Sequence, residues 1–208
     1  MSELTQIMKQ RRSANKFLQD VSVSRHELDE IFDLVKYSPS AYNLQHAHYV
    51  VVQDEENKNK LYDAAYKQYK VLTSSAVVIV LGHLDAHLNA PQIYEGLLHL
   101  GVLNQQEFDQ MVTTTQDAYE QQGESFKRDE AIRNASLSAM SFMLAAKDKG
   151  WDTCPMIGFD AQAVSQALNI PDRYVPVMMI TLGKEDTSSQ RVRGYRKPVG
   201  EFVSYDHF

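Results

Sequence analysis

The chain has 208 residues, 43% hydrophobic and 23% charged, which is ordinary globular usage and excludes a disordered or fibrous protein. A net charge of −6 argues against nucleic acid as the main partner. The longest apolar run, Ala76–Leu81, is far short of the ~20 residues that span a bilayer. Length points to one domain covering residues 1–208. The single cysteine, Cys154, allows no internal disulfide and fits a reducing, cytoplasmic setting. The N-terminal residues lack the apolar core of a secretory signal.

In chain order, Ser2–Gln10 reads as a short helix leading into Arg11-Arg12-Ser13. Ser24 with Glu27 forms a capping box, and Leu28, Ile31, Phe32 and Val35 follow at helical spacing. Ser38-Pro39-Ser40 ends that helix, because proline disfavours helix in the residue before it. His46–Gln53 reads as a strand, Glu55–Lys70 as one helix and Ala76–Gly82 as a buried strand. Ala90–Asp129 is polar and helical in pattern, with breaks at Gly101 and Gly123 and room for a substrate-facing lid. Asp129–Lys149 is a long helix rich in alanine and serine, capped by Gly150. Thr153–Gly158 reads as a loop, Asp160–Leu168 as a helix and Val175–Leu182 as a strand. The tail Glu201–Phe208 carries aromatic residues and must dock on its own core or on a neighbour. The pattern is α+β or α/β, a small sheet with a helical majority.

Several chemistries are excluded by motif. No Gly-x-Gly, Gly-Lys-Ser/Thr, His-Glu-x-x-His or Gly-x-Ser-x-Gly occurs, which argues against a Rossmann dehydrogenase, a P-loop NTPase and a typical zinc protease. His46/His48 and His83/His87 are pairs without an evident third ligand, so no metal site is assigned. Cys154 has no basic neighbour in sequence and reads as a buried small side chain rather than a nucleophile. Two basic clusters stand at the ends, Arg11-Arg12-Ser13 and Arg191, Arg193, Arg196, Lys197. Each alone reads first as solvated surface charge; together they could close on one phosphate. Between them, Ser38–Gln45 is a loop dense in uncharged donors and acceptors, suited to the edge of a heterocycle or simply to a turn.

Arg11-Arg12-Ser13, the Ser38–Gln45 loop, the helix Asn134–Ala146 followed by Cys154–Phe159, and Leu182-Gly183 leading to Arg193–Pro198 occur in an order that resembles the nitroreductase family of flavin oxidoreductases. The resemblance spans nearly the whole chain. It implies an α+β fold with a mixed sheet flanked by helices, in an intertwined homodimer with a long interface helix and a C-terminal extension wrapping the partner. It implies FMN as cofactor, with Arg11, Ser13, Arg193 and Arg196 at the phosphate and ribityl end, and Arg12 and Asn15 approaching the isoalloxazine or ribityl edge. Gln68 and Lys70 would face the N1–O2 side. Pro39, Ser40, Asn43 and Gln45 would come from the second subunit, and Pro155, Met156, Ile157 and Gly158 would cover the ring with backbone groups. No catalytic side chain follows, since the hydride chemistry belongs to the cofactor.

The implied activity is hydride transfer from NAD(P)H through FMN to a small electron-poor acceptor, a nitroaromatic or quinone, by a ping-pong mechanism. Tyr94, Tyr119 and Phe126 are candidates to line the acceptor pocket. Two departures matter. Many members carry a basic residue where this chain has Asn15, which would lower the flavin potential unless Lys70 compensates. Gly194 falls where some members have a second cation, and Arg193 is taken as its substitute. The alternatives are a flavin store or sensor with little turnover, and a phosphate-ligand module unrelated to flavin.

Overall fold

The computed structural model describes residues 2–208. Helix α1 (Glu3–Gln10) opens the chain, and α2 (Arg25–Val35) begins at the expected capping box. The Ser24 hydroxyl accepts from the Glu27 amide at 3.2 Å, and the Ser24 amide donates to the Glu27 carboxylate at 2.9 Å. Strand β1 (Ala47–Val52) follows, then α3 (Glu55–Ala64) and a short α4 (Lys70–Thr73). Strand β2 (Ala76–His83), α5 (Ala90–His99) and α6 (Gln105–Asp148) come next. Strand β3 (Asp152–Met156), α7 (Ala161–Leu168) and β4 (Tyr174–Gly183) complete the domain.

The strands form one sheet in the order β1-β2-β4-β3. Where the resemblance implies a mixed sheet, these four strands pair antiparallel throughout. Among the described residues, parallel pairing is confined to an isolated bridge, Ser13 with Thr153. Strand β2 is central and covered on both faces, which is why it reads as an unbroken apolar run. Val78 and Val80 pack toward α2 and α6, with Ile31, Phe142 and Ala139. Val77, Ile79 and Leu81 pack the other way, with Leu61, Val71 and Val164. Gly82 is required by the approach of α6, because a Cβ there would lie 2.7 Å from the Ala131 carbonyl oxygen.

Three expected boundaries differ. Glu55–Lys70 is two helices, because Tyr66 and Lys67 turn left-handed at φ 51° and 59°. The freed Ala64 carbonyl accepts from the Asp160 amide at 2.8 Å, so the break joins α3 to the loop before α7. Residues 153–156, expected as loop, belong to β3. β3 lies at the edge of the sheet, where a proline such as Pro155 is tolerated because one side of the strand needs no ladder donor. The long helix starts at Gln105 instead of Asp129, behind a second capping box formed by Asn104 and Glu107. Gly123 breaks it as the sequence suggests: at φ 77° and ψ −175° the backbone there is non-helical, so that two helical arms meet at a kink. Gly101 and Gly150 also sit at positive φ, where glycine carries no Cβ penalty. Leu44, Ala86, Ala90, Tyr94 and Tyr119 form a separate small core beneath α5 and the first arm of α6.

Candidate active site

The arm after α1 crosses the edge of the sheet, where the Ala14 amide donates to the Thr153 carbonyl at 3.0 Å. This fixes Arg11, Arg12 and Ser13 beside β3. The chain after β4 returns to the same place, and a crevice of about 170 Å³ is lined by Arg11, Arg12, Ser13, Arg191, Arg193 and Arg196, with Val192 and Gly194. The Arg193 guanidinium donates to the Lys9 and Arg11 carbonyls at 2.6 and 3.1 Å. Arg196 donates to the Tyr195 carbonyl at 2.9 Å, and Arg12 to that of Arg191. These bonds orient the cations without neutralising them. Burial, then Arg193 and Arg196, lower the Arg11 pKa, against a small opposing effect of Cys154. Its Nη1 is buried with no hydrogen-bond partner among the described residues. A desolvated guanidinium among like charges, with a donor unmatched, fits an anion such as a phosphate monoester. Glu185 lines the neighbouring cleft with Arg12 and Arg193, and its Oε1 lies 3.4 Å from the Asn15 amide.

A polar ledge stands at the other end of β3. The break after α3 aims Gln68 at the Gly158 carbonyl, to which it donates at 2.8 Å. It also aims Lys70 at Cys154, with Nζ 3.3 Å from Sγ. The expectation that Cys154 has no basic neighbour is therefore corrected: its cation comes from 84 residues away in sequence. Met156 is buried, so only its backbone is free to face a ligand, while Ile157 is 81% exposed. Gly158 is confined by Gln68, whose Nε2 would lie 3.3 Å from an added Cβ. The Ser13–Thr153 bridge links ledge and crevice.

The third set, Pro39, Ser40, Asn43 and Gln45, stands elsewhere on the chain. Pro39, Ser40 and Gln45 line a separate cavity of about 240 Å³ with His46, Asn134 and Ser138, and no crevice arginine lines it. Two of the proposed pocket aromatics are core residues instead. Tyr94 and Tyr119 are 2% and 1% exposed. The Tyr94 hydroxyl donates to the Tyr42 carbonyl at 3.0 Å, and that of Tyr119 to Glu130 at 3.3 Å. Phe126 is partly buried against the same core.

Two of the histidines, His46 and His87, are likewise embedded. His46 Nε2 lies 3.2 Å from the Tyr119 hydroxyl, and burial, then His83 and His87, push its pKa down to about 4. His87 stacks on Tyr119 with ring centroids 5.1 Å apart and meets Glu120 at 2.7 Å. Among the described residues no group of three His, Cys, Asp or Glu side chains is placed to hold a metal. Arg191, read in the sequence as part of the second basic cluster, does line the crevice, whereas Glu130 and Asn134 as anchors were missed. Glu130, Asn134 and Ser138 recur every four residues on the buried face of α6, polar positions in an alanine-rich stripe, and that was the available signal.

Much apolar surface stays uncovered in a single chain. α1 buries no residue; Leu4, Met8, Leu137 and Met140 are exposed, as are Tyr195, Phe202, Tyr205 and Phe208 of the tail.

The model of the Nitroreductase family matches residues 8–184. A Bacillus subtilis protein provisionally named NAD(P)H nitroreductase MhqN is 60% identical over 205 residues, covering 99% of this chain and 100% of its own. A solved Bacillus subtilis structure, provisionally described as the nitroreductase ydfN, matches with a TM-score of 0.96 at 59% identity over 98% of both chains. An Exiguobacterium sibiricum protein of the same provisional description, solved in complex with FMN, matches with a TM-score of 0.90 at 30% identity, covering 99% and 98%.

Proposed function

The chain belongs to the nitroreductase family, and on that premise we propose that it is an FMN-dependent oxidoreductase moving electrons from NAD(P)H to a small electron-poor acceptor. The observation that carries this reading is Arg11, a half-buried guanidinium with an unmatched donor in a five-arginine crevice. Such a crevice suits the FMN phosphate, with Arg193 and Arg196 as further charge-assisted donors and the Ser13 hydroxyl beside them. The bridge from Ser13 to Thr153 directs the rest of the cofactor along β3 toward Gln68, Lys70 and the Pro155–Gly158 backbone.

When bound, FMN supplies a two-electron carrier that accepts hydride from NAD(P)H and passes the electrons to an acceptor. The protein's part is to bind, orient and set the local field. Lys70 places positive charge at the ledge, which favours the anionic reduced form. Arg12 and Asn15 approach the isoalloxazine or ribityl edge. Donor and acceptor occupy one face in turn, a ping-pong sequence that needs no Rossmann domain. Nitroaromatics and quinones are the acceptor class that such an open face takes.

A homodimer completes the site. The exposed apolar residues of α1, α6 and the tail form the contact, and a second subunit brings its Pro39, Ser40, Asn43 and Gln45 to the ring. That assembly explains why this loop stands away from the crevice within one chain.

The test is the cofactor itself. Purified protein, denatured and its supernatant separated chromatographically, is expected to release FMN at about one per chain, while Arg11→Gln releases little. FAD in its place, or protein that takes up no flavin on incubation, overturns the reading.

A further inference from the structure

The Ser38–Gln45 loop has a costly backbone. Tyr42, Asn43 and Gln45 lie in the left-handed region at φ 52°, 55° and 51°, and of these only asparagine adopts it readily. Turn bonds close the loop on itself: the Asn43 amide donates to the Ser40 carbonyl at 3.0 Å, and the Gln45 amide to the Ser40 hydroxyl at 2.9 Å. Those bonds do not fix it against the body of the protein.

Bonds from α5 and α6 do. The Ala41 amide donates to Asn134 Oδ1 at 2.8 Å, and the Tyr94 hydroxyl donates to the Tyr42 carbonyl at 3.0 Å. Leu44 is buried against Tyr94 and Tyr119. Asn134 is 4% exposed, and its amide nitrogen donates to the Glu130 carbonyl at 2.7 Å and carboxylate at 3.2 Å. Those two bonds leave the side-chain oxygen facing Ala41. Glu130 is fixed in turn by the Tyr119 hydroxyl and by Arg133. Asn134 also lines the cavity behind the loop, outside the apolar clusters that hold the sheet.

Building on the flavin reading above, we infer that Asn134 is a positioning residue for the flavin-facing loop. By accepting the Ala41 amide it holds Tyr42–Gln45 left-handed, so that the exposed Asn43 and Gln45 side chains present their donors and acceptors to the ring. Without that anchor the loop relaxes to ordinary backbone angles, and both side chains turn away. The phosphate crevice is built from other elements and is untouched.

Two variants remove the bond from opposite ends. Asn134→Ala deletes the acceptor. Ala41→Pro deletes the donor, and its ring takes the place of the amide hydrogen, so that the Asn134 side-chain oxygen must turn away. Proline suits this position because Ser40 is already extended, at φ −145° and ψ 152°. The readout is quenching of flavin fluorescence when apoprotein is titrated with FMN and, separately, with riboflavin, which lacks the phosphate. Each variant is expected to weaken both ligands by the same factor, about tenfold, and the double variant to be no worse than either single one. Unchanged affinity, a much larger loss for FMN than for riboflavin, or additive losses in the double variant would overturn the inference. If Asn134→Ala does not fold, Ala41→Pro decides alone by its FMN-to-riboflavin comparison. Wild-type protein that binds neither flavin would remove the flavin reading together with this one.

Discussion

The crevice and the loop meet one task, holding a polar ligand, by opposite means. In the crevice, five arginines from two distant segments share about 170 Å³, and Arg11 Nη1 is left without a partner. In the loop there is no charged group, and the anchors behind it, Asn134 and Glu130, have their polar atoms matched. Like charges brought together with an unmatched donor raise the energy of the free state and are relieved by an anion. A matched, buried network does the reverse: it lowers the energy of one backbone geometry whether or not a ligand is present. Most of the affinity should therefore reside in the crevice, and the loop should add a smaller share by orienting the ring.

Breaking the crevice gives the largest effect. Arg11→Gln should weaken FMN about 100-fold, the loss of two charge-assisted hydrogen bonds. The melting temperature of the apoprotein should stay level or rise, because a desolvated and repelled cation has gone. Titration and thermal melting on the same preparation check both halves.

The buried network behind the loop is exposed by acid. His46 has a folded pKa of about 4 against about 6.5 unfolded. The unfolded chain therefore binds the proton first, and stability falls as pH drops from about 6.5 to about 4. At the lower limit this histidine costs about 2–3 kcal/mol. Urea unfolding across that range should show a shallower decline in His46→Gln than in wild type, since carboxylates titrate alike in both.

Gly82→Ala sharpens the contrast. A Cβ there meets the Ala131 carbonyl oxygen at 2.7 Å, so α6 must move off β2 at a cost of about 1–3 kcal/mol. Glu130 and Asn134 ride on that stretch of α6. Riboflavin affinity should fall, with the further gain that the phosphate gives FMN preserved.

The smallest effect concerns the ring. The Asn15 side chain is uncharged, and its backbone amide faces Glu185. Asn15→Lys should raise the two-electron potential of bound flavin by about 20–30 mV, corresponding to roughly 1 kcal/mol of added charge stabilisation. Equilibration with a reference dye measures it.

Much of the frame was legible because its signals are local. The Ser24–Glu27 capping box, the apolar run of β2 and the stop at Ser38-Pro39 each depend on neighbours in sequence. β3 was hidden because Pro155 reads as a loop signal, and only the strand's place at the sheet edge makes it admissible. The break at Tyr66-Lys67 carries no glycine or proline, and the Ala64–Asp160 bond that accompanies it is a tertiary one. The same limit applies to the site. The Arg11-Arg12-Ser13 and Arg193–Arg196 clusters were visible as charge, yet their convergence depends on β3 pairing with the N-terminal arm. Tyr94 and Tyr119 looked like pocket walls because aromatic residues in a polar segment suggest a ligand; burial made them anchors instead. The Lys70–Cys154 contact joins residues 84 apart, which no local pattern announces.

Anaerobic stopped-flow at the oxidised flavin band, mixing FMN-loaded protein with NADH and separately with NADPH, separates a reductase from a flavin store. Rapid bleaching by at least one donor is expected, and return of the band when a quinone is added. Bound flavin that neither donor bleaches would contradict the reductase reading and leave a protein that stores or senses FMN without turning it over.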